Sequence, residues 1–575
     1  MGSMRITSFG GIKPNNKRGT GGPSRASVAI DAKLSRGTLD SWRYPAKEIF
    51  TSKDKICNIY SDNCCFIVSD KPCSSFAKGD TNCHRVFSTG EKAWPAFAKL
   101  PDCNTGPSGC GQVIEPVWCR LGVPAPVSAV QFNQVTVAVP RGPLSMAAGD
   151  QERRESRAYI YTFVNEHGEE GPPSPVGAVR DADVNSTAML QFSIPPLAEG
   201  YCNPKYIRIY RGGSGWNEDG EVGKSISDFF YVEDLPFTTG NFTHLDDIPA
   251  AELGEMNTSE HNTPPPANLM NLVSTDEGVL VGSEGKNIWF SEPWKYHAWT
   301  CFINLDDCVQ AMVVRGDYIY AATNGYPYVI STGNNEEDCK CCRAINKIPT
   351  SAPILCKRSM VATINGAMWA STTGLIRVSG SGDITVDTHS HMTEDDWLAW
   401  FPHDIKAVYH KGTYYGFNAH RGFSWDVNDG MYSDAYLGDS GKFTELSLTP
   451  TAVLSTKQGV LYMAFGGNLN KFDAANTKMP YTWRSKLNID GGLQNYSAMK
   501  VVFEHFLRGS IVTNPVEIQL YADGVLRFSR NVNTSQPFRL PKGYDALNWE
   551  VEISGTEAIS EIHLATSMTE LSLMS

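Results

Sequence analysis

The chain has 575 residues, 41% hydrophobic and 11% aromatic, with 51 Gly, 33 Pro and a formal net charge of −12. That length exceeds what one hydrophobic core serves, and the Gly, Pro and aromatic content suits many short strands joined by turns. No apolar run reaches the roughly 18 residues that a bilayer span needs, and an acidic body disfavours sequence-specific DNA binding as the main role.

The first 25 residues, MGSMRITSFGGIKPNNKRGTGGPSR, are polar, Gly-rich and basic, without the apolar stretch of a secretory signal. Lys13, Lys17, Arg18, Arg25, Lys33, Arg36, Arg43 and Lys47 meet few acids nearby. They read either as a basic arm for an acidic partner or nucleic acid, or as a solvated terminus. The acids cluster later, at Glu166, Glu169 and Glu170, at Asp246 and Asp247, and at Glu394, Asp395 and Asp396.

Eight of the 15 cysteines lie between Cys57 and Cys119, and none follows Cys356, which marks residues 1–156 as a distinct Cys-rich region. Free buried thiols, late oxidation and a zinc site are the three readings. The zinc reading would use Cys73, Cys83 and His84, or Cys339, Cys341 and Cys342. Neither set has the paired spacing of a zinc ribbon, so no metal is assigned.

Residues 157–265 change character. In RAYIYTFVNEHGEEGPPSP, Tyr159, Tyr161 and Phe163 share one face of an alternating strand that ends in an acidic turn and a Pro-rich stop. With KYIRIYRGGSG and DFFYVEDLP this predicts a small antiparallel β-sandwich, and HNTPPPANL (261–269) predicts a linker.

Residues 266–480 carry a loose repeat of about 45 residues, with copies starting at Asn271, Gln310, Arg358, Asp404 and Pro450. Each copy is strand, polar turn, strand. The turns are Asp276-Glu277-Gly278, Arg315-Gly316-Asp317, Asn365-Gly366, Lys411-Gly412 and Gln458-Gly459, which supply the positive-φ positions that tight hairpins need. The expectation is a mainly β, multidomain protein with a β-propeller-like core of five visible blades. A sixth would be completed from elsewhere, and a large sandwich or sheet array is the alternative. Trp289, Trp294, Tyr296 and Trp299 are either aromatic anchors of an interface or packing between blades.

His389 and His391 beside Glu394, Asp395 and Asp396 suggest two imidazoles on one strand face, but no third ligand has a diagnostic spacing. DVNDG at Asp426 differs from a calcium loop because its Gly comes one place early. No nucleophile elbow, zinc-protease helix motif or phosphate-binding loop is present in the sequence, and no catalytic or cofactor-binding residue is assigned. Residues 481–575, with VEIQLYADG and NWEVEISG, predict a C-terminal β-sandwich, and EIHLATSMTEL a last strand.

Taken in series, YIYTFVNEHGEEGPPSP, YIRIYRG, PPPANLMNLVSTDEGVLVGSEGKNIWFSEPWKYHAW, ATNGYPYVISTG, CKRSMVATINGAMWASTTGLIRVS and RLPKGYDALNWEVEISG resemble the tail nozzle family of short-tailed bacteriophages, also called tail tubular protein B. The resemblance covers about two-thirds of the chain and leaves residues before about 157 unmatched. It implies a non-enzymatic structural protein of the virion tail that forms a homo-oligomeric ring, expected as a hexamer. The ring would sit below an adaptor ring and the portal, meet tail fibre or tip proteins, and need no cofactor and no membrane span. Genomic DNA would be retained in its lumen and pass through it without sequence recognition during ejection. Loops that line or gate that lumen are then expected at Asn334, Glu336, Glu337 and Asp338, and at Asp426, Asp429, Asp434 and Asp439, where acidic groups would avoid gripping phosphates. The competing reading is a carbohydrate- or receptor-binding propeller of a tail, with or without hydrolytic activity.

Overall fold

The computed structural model describes residues 3–14, 22–34, 37–51, 53–62, 65–79, 84–101, 112–135, 154–183, 186–202, 204–214, 228–249, 252–333, 341–427, 443–504, 511–543 and 545–574. Among these the chain is almost entirely β, with α-helices only at Glu394–Leu398 and Met568–Leu573.

The predicted hairpins form where the turn chemistry requires them. Gly278, Gly316, Gly366, Gly412 and Gly459 all have positive φ, and Lys411 joins Gly412 there at φ 49°. Gly366 is the most constrained, because a Cβ at that position would lie 1.9 Å from the Val378 carbonyl oxygen. Three contiguous blades follow. Blade 3 is Met270–Ser274, Leu280–Glu284, Asn287–Phe290 and Cys301–Asn304. Blade 4 is Val309–Arg315, Tyr318–Thr323, Tyr328–Ser331 and Ile345–Lys347. Blade 5 is Val361–Thr363, Gly366–Ala370, Leu375–Ser379 and Ile384–Val386.

The remaining blades depend on distant segments. Blade 6 (Lys406–His410, Thr413–Phe417, Gly422–Asp426, Phe443–Leu446) continues through Ala26–Ile30 into the terminal sandwich. Blade 7 (Ala452–Ser455, Leu461–Phe465, Asn468–Lys471) takes its outer strand, Ala46–Phe50, from the N-terminal region. Blade 1 is Asn58–Asp62, Cys65–Ser69 and Gln112–Val113, and blade 2 is Ser75–Lys78, Arg85–Thr89, Ala96–Lys99 and Cys119–Arg120.

Seven blades thus surround one axis among the described residues, two more than the visible repeats and one more than expected. Closure is shown by the packing, since every neighbouring pair shares its own apolar cluster. Phe87, Phe97, Leu280 and Trp299 lie between blades 2 and 3, Ile288, Phe290 and Ile319 between 3 and 4, Tyr320, Trp369 and Ile376 between 4 and 5. Met368, Tyr414 and Trp425 join blades 5 and 6, Tyr415, Phe417 and Met463 join 6 and 7, Ile49, Phe66 and Leu469 join 7 and 1, and Ile67, Val86 and Ala98 join 1 and 2. A single blade cannot bury both its faces, so the circle supplies what each lacks.

A β-sandwich is inserted between blades 2 and 3. Its sheets are Gln131–Val135, Thr187–Ile194 and Gly240–Asp246 against Arg180–Asp183, Arg154–Asn165, Pro204–Ser214 and Phe229–Pro236. Tyr159, Tyr161 and Phe163 face its core as the alternation predicts. The second sandwich combines the two ends of the chain. Ser3–Ile6 pairs with Ile559–Ala565, and Ala26–Ile30 pairs with Tyr481–Ser485, so Met4, Ile6, Phe9 and Ala29 share a core with Trp483, Trp549 and Ile553. The described part of the N-terminal segment is therefore woven into the body rather than held out as an arm. Its Lys33 reaches Asp473 at 2.7 Å and lies over the Trp42 ring. After Ile559–Ala565 the chain ends in a helix rather than continuing as strand, because Ser567 caps it by accepting a hydrogen bond from the Glu570 amide.

Candidate functional site: the axial cavity

The inner strands of the ring enclose a cavity of about 260 Å³ at the end of the axis where those strands begin. Its walls come from all seven blades: Asn58, Ser75, Val273, Met312, Met360, Lys406 and Val453 are among the lining residues. No Asp or Glu lines it. Lys357 and Arg358 enter from the short 3-10 turn Lys357–Ser359 that precedes blade 5.

Both cations reach across the axis. The Lys357 ammonium donates to the Cys73 carbonyl (2.8 Å) and to Ser75 Oγ (2.7 Å) of blade 2. Arg358 Nη1 donates to the carbonyls of Cys57 (3.0 Å) and Thr451 (3.3 Å), at the starts of blades 1 and 7. Burial pulls the Lys357 pKa down to about 8, with the neighbouring Cys73 thiol acting the other way. Lys406, also in the lining, has the Asp404 carboxylate 3.5 Å from its ammonium. The arrangement is a small, half-buried cationic chamber suited to an anion.

A second buried charge cluster fixes the inserted sandwich to the ring. The Glu169 carboxylate accepts from Arg85 Nη1 of blade 2 at 2.7 Å and from Asn165 Nδ2 at 2.7 Å, and the His297 imidazole lies 3.8 Å away. Arg85 stacks near Phe87, Phe97 and Tyr296. Burial pushes the Glu169 carboxyl up, but the Arg85 and His297 charges outweigh it, and the net displacement is downward. Glu170 accepts from Thr162, Tyr210 and Arg208, while Asp246 accepts from Tyr159 and the buried Arg211. The clustered acids at 169, 170 and 246 are thus internal ion-pair partners. Sequence spacing carries no sign of this, because their cations lie 35 to 84 residues away.

The four aromatics separate. Tyr296 and Trp299 are buried between blades 2 and 3, where Trp299 Nε1 donates to the Tyr296 carbonyl. Trp289 packs against the edge of the same cluster and on the half-exposed Phe302, with ring centres 4.7 Å apart. Trp294 is 59% exposed, at φ 60°, and covers Gly278. Asp426 is the one expected lumen residue within the described chain. It ends a blade 6 strand, accepts a 2.8 Å bond from Thr413 Oγ1 and borders a cavity of about 180 Å³ with Lys33, Trp42 and Tyr415. Asn334, Glu336, Glu337, Asp338, Asp429, Asp434 and Asp439 lie outside the described residues.

Other motifs resolve into structural roles. His391 is buried edge-on to Trp425 and follows a 3-10 turn, so the two histidines do not share a strand face. Glu394, Asp395 and Asp396 form the first turn of Glu394–Leu398, where Thr393 and Asp396 make a reciprocal capping box. Cys341 is paired with Cys301 and Cys342 is also disulfide-bonded, which removes both from a zinc set. Cys119 is paired with Cys202, joining blade 2 to the inserted sandwich, whereas Cys57, Cys73, Cys308 and Cys356 are free. No group of His, Cys, Asp and Glu with metal-binding geometry occurs among the described residues.

No protein-family model matches the chain, and no curated protein matches its sequence. Its shape is similar to BamB from Moraxella catarrhalis (10% identity, 55% of this chain and 82% of that one, TM-score 0.24). It is also similar to Saccharomyces cerevisiae Sqt1 (8%, 76% and 100%, TM-score 0.24) and to Citrobacter koseri AztD (10%, 65% and 73%, TM-score 0.18). Likenesses this distant bear on no residue role. The β-propeller-like core rests on the chain's own blade order and closure.

Proposed function

We propose that the chain is a structural subunit of a bacteriophage tail nozzle, in which copies of it form a ring below the adaptor and portal that retains genomic DNA and conducts it during ejection. The observation that carries this reading is the serial order of the family-like segments, from YIYTFVNEHGEEGPPSP at blade 3's upstream sandwich to NWEVEISG in the terminal one. Support comes from the rigidity of the body. The blade ring, the inserted sandwich and the terminal sandwich are tied by Arg85–Glu169, by Cys119–Cys202 and by strands shared between units, which suits a part that must bear load without opening.

The size of the axial cavity shapes the proposal. A chamber of about 260 Å³ cannot pass a duplex whose major groove alone is about 12 Å wide. The conduit would therefore be enclosed between protomers, not within one propeller. Lateral contacts are then required, and Trp294, Phe302 and the exposed edge strand Val525–Thr534 offer surface for them. Among the described residues no helix is long and apolar enough to cross a membrane.

The test is native mass spectrometry and negative-stain imaging of the purified chain, alone and mixed with adaptor–portal complexes. A closed ring, formed alone or on the adaptor, is expected. A persistent monomer indifferent to those partners would overturn the nozzle reading.

A further inference from the structure

The cations of the axial cavity make fewer bonds than they can. A guanidinium has five N–H donors and an ammonium three. Arg358 places only Nη1 on protein acceptors, and Lys357 makes two bonds, which leaves three guanidinium donors and one ammonium donor without a protein acceptor. These two adjacent side chains line the same chamber, with Lys406 on a neighbouring blade and no carboxylate in the walls. Ser75, whose hydroxyl accepts from Lys357, keeps its own proton to donate.

Two adjacent half-buried like charges repel each other, and an anion between them offsets that repulsion. The chamber's volume of about 260 Å³ is that of roughly eight or nine waters at about 30 Å³ each. It falls just below the usual range for drug-sized ligands, about 300–1,000 Å³. Convergent N–H donors in a fork, with a point charge beside them, match the tetrahedral oxygens of a phosphate better than a halide.

We propose that the axial cavity binds one small phosphate-class oxyanion, held by the Lys357 ammonium and the Arg358 guanidinium. Such an anion bridges the start of blade 5 to blades 1, 2 and 7 through the two side chains that already span the axis. The occupant is free phosphate or the phosphate of a small monoester, and both present the same oxygens to these donors.

The test is calorimetric titration and thermal unfolding of the full chain, with inorganic phosphate and with ribose 5-phosphate, against chloride at equal ionic strength. One site per chain and a rise in Tm specific to either phosphate compound are expected, and the tighter of the two identifies the source. Lys357→Met should weaken binding at least tenfold. Lys357→Glu supplies an internal counter-charge to Arg358, so it should remain folded and lose the phosphate response entirely. Absence of binding by both compounds, or an equal Tm rise in wild type and Lys357→Glu, would overturn the proposal.

Discussion

The two sandwiches of this chain are closed in opposite ways. The inserted one uses strands that lie within about 120 residues of each other, and its entry and exit touch, since a Cβ on Gly122 would meet Pro264 at 2.5 Å. The terminal one needs Ser3–Ile6 beside Ile559–Ala565 and Ala26–Ile30 beside Tyr481–Ser485. One is a detachable unit, and the other is the clasp that holds the ends of the whole chain. The ring shows the same division, with blades 3 to 5 contiguous and blade 7 closed by Ala46–Phe50.

Removing residues 1–50 takes away the clasp altogether. That deletes Met4, Ile6, Phe9, Ala26, Ala29 and Leu39 from the terminal core and the outer strand of blade 7. At about 1.5–3 kcal/mol for each large buried side chain, the loss with strand pairing included rivals the entire net stability of a domain, about 5–15 kcal/mol. The truncated chain should lack a cooperative unfolding transition and near-UV circular dichroism. Excising 124–261 and joining the ends with a short Gly linker should instead leave a folded ring. Cooperative folding of the truncated chain would show that the clasp is dispensable.

A finer cut separates the insert without deleting it. Glu169→Ala leaves Arg85, only 7% exposed, with a buried charge and no carboxylate. Breaking a buried pair in this way costs about 3–5 kcal/mol. Hydrogen exchange should rise in the insert and in blade 2 while blades 4 and 5 keep their protection. Uniform protection across the chain would mean that the insert is held chiefly by other contacts. Within a contiguous blade, Gly366→Ala forces a Cβ onto the Val378 carbonyl at φ 151° and should cost about 3 kcal/mol, measured as a lower denaturant midpoint.

These differences decide what could be read in the sequence. The hairpins of blades 3 to 7 are legible because alternation and the Gly turns at 278, 316, 366, 412 and 459 are local signals. Blade 1 is not, because it takes Gln112–Val113 as a parallel partner of Cys65–Ser69 across most of the Cys-rich stretch. The clasp strands are equally hidden, since nothing in MRITSFGG names a partner more than 550 residues away. The axial cations escape for the same reason. Lys357 and Arg358 are an ordinary basic pair in sequence, and only ring closure brings them opposite blades 1, 2 and 7.

Acid offers a milder probe of the contact between blades 6 and 7. His410 bonds Ser455 across it at 2.8 Å, and burial, with help from Lys411, lowers its pKa to about 4. The unfolded chain takes up that proton near pH 6.5, whereas the folded chain resists until about 4, so stability falls as pH drops through this window. The ceiling is about 3 kcal/mol, and partial solvent contact brings the effect below it. His410→Gln should flatten the slope of stability between pH 6.5 and 4 without removing the acid loss that Glu169 causes lower down. An unchanged slope would place the titration elsewhere.

The smallest effect on folding is expected at Trp294, where it can be separated from assembly. This side chain is 59% exposed yet fixed, because its amide donates to the Gly278 carbonyl at 2.9 Å and its ring lies over that turn. Its φ of 60° is a strained conformation for a side chain with a Cβ, so Trp294→Gly relieves about 1–2 kcal/mol of backbone strain while losing the partial cover of Gly278. The two contributions oppose each other, and the net change in stability should stay within about 1 kcal/mol. A rigid, exposed aromatic loses little rotamer freedom on contact and is therefore an efficient interface anchor. If copies meet through this face of blade 3, Trp294→Gly should shift native mass spectra from ring to monomer at unchanged Tm. A ring that persists in the variant would move the lateral contact away from blade 3, with the edge strand Val525–Thr534 as the next surface to test.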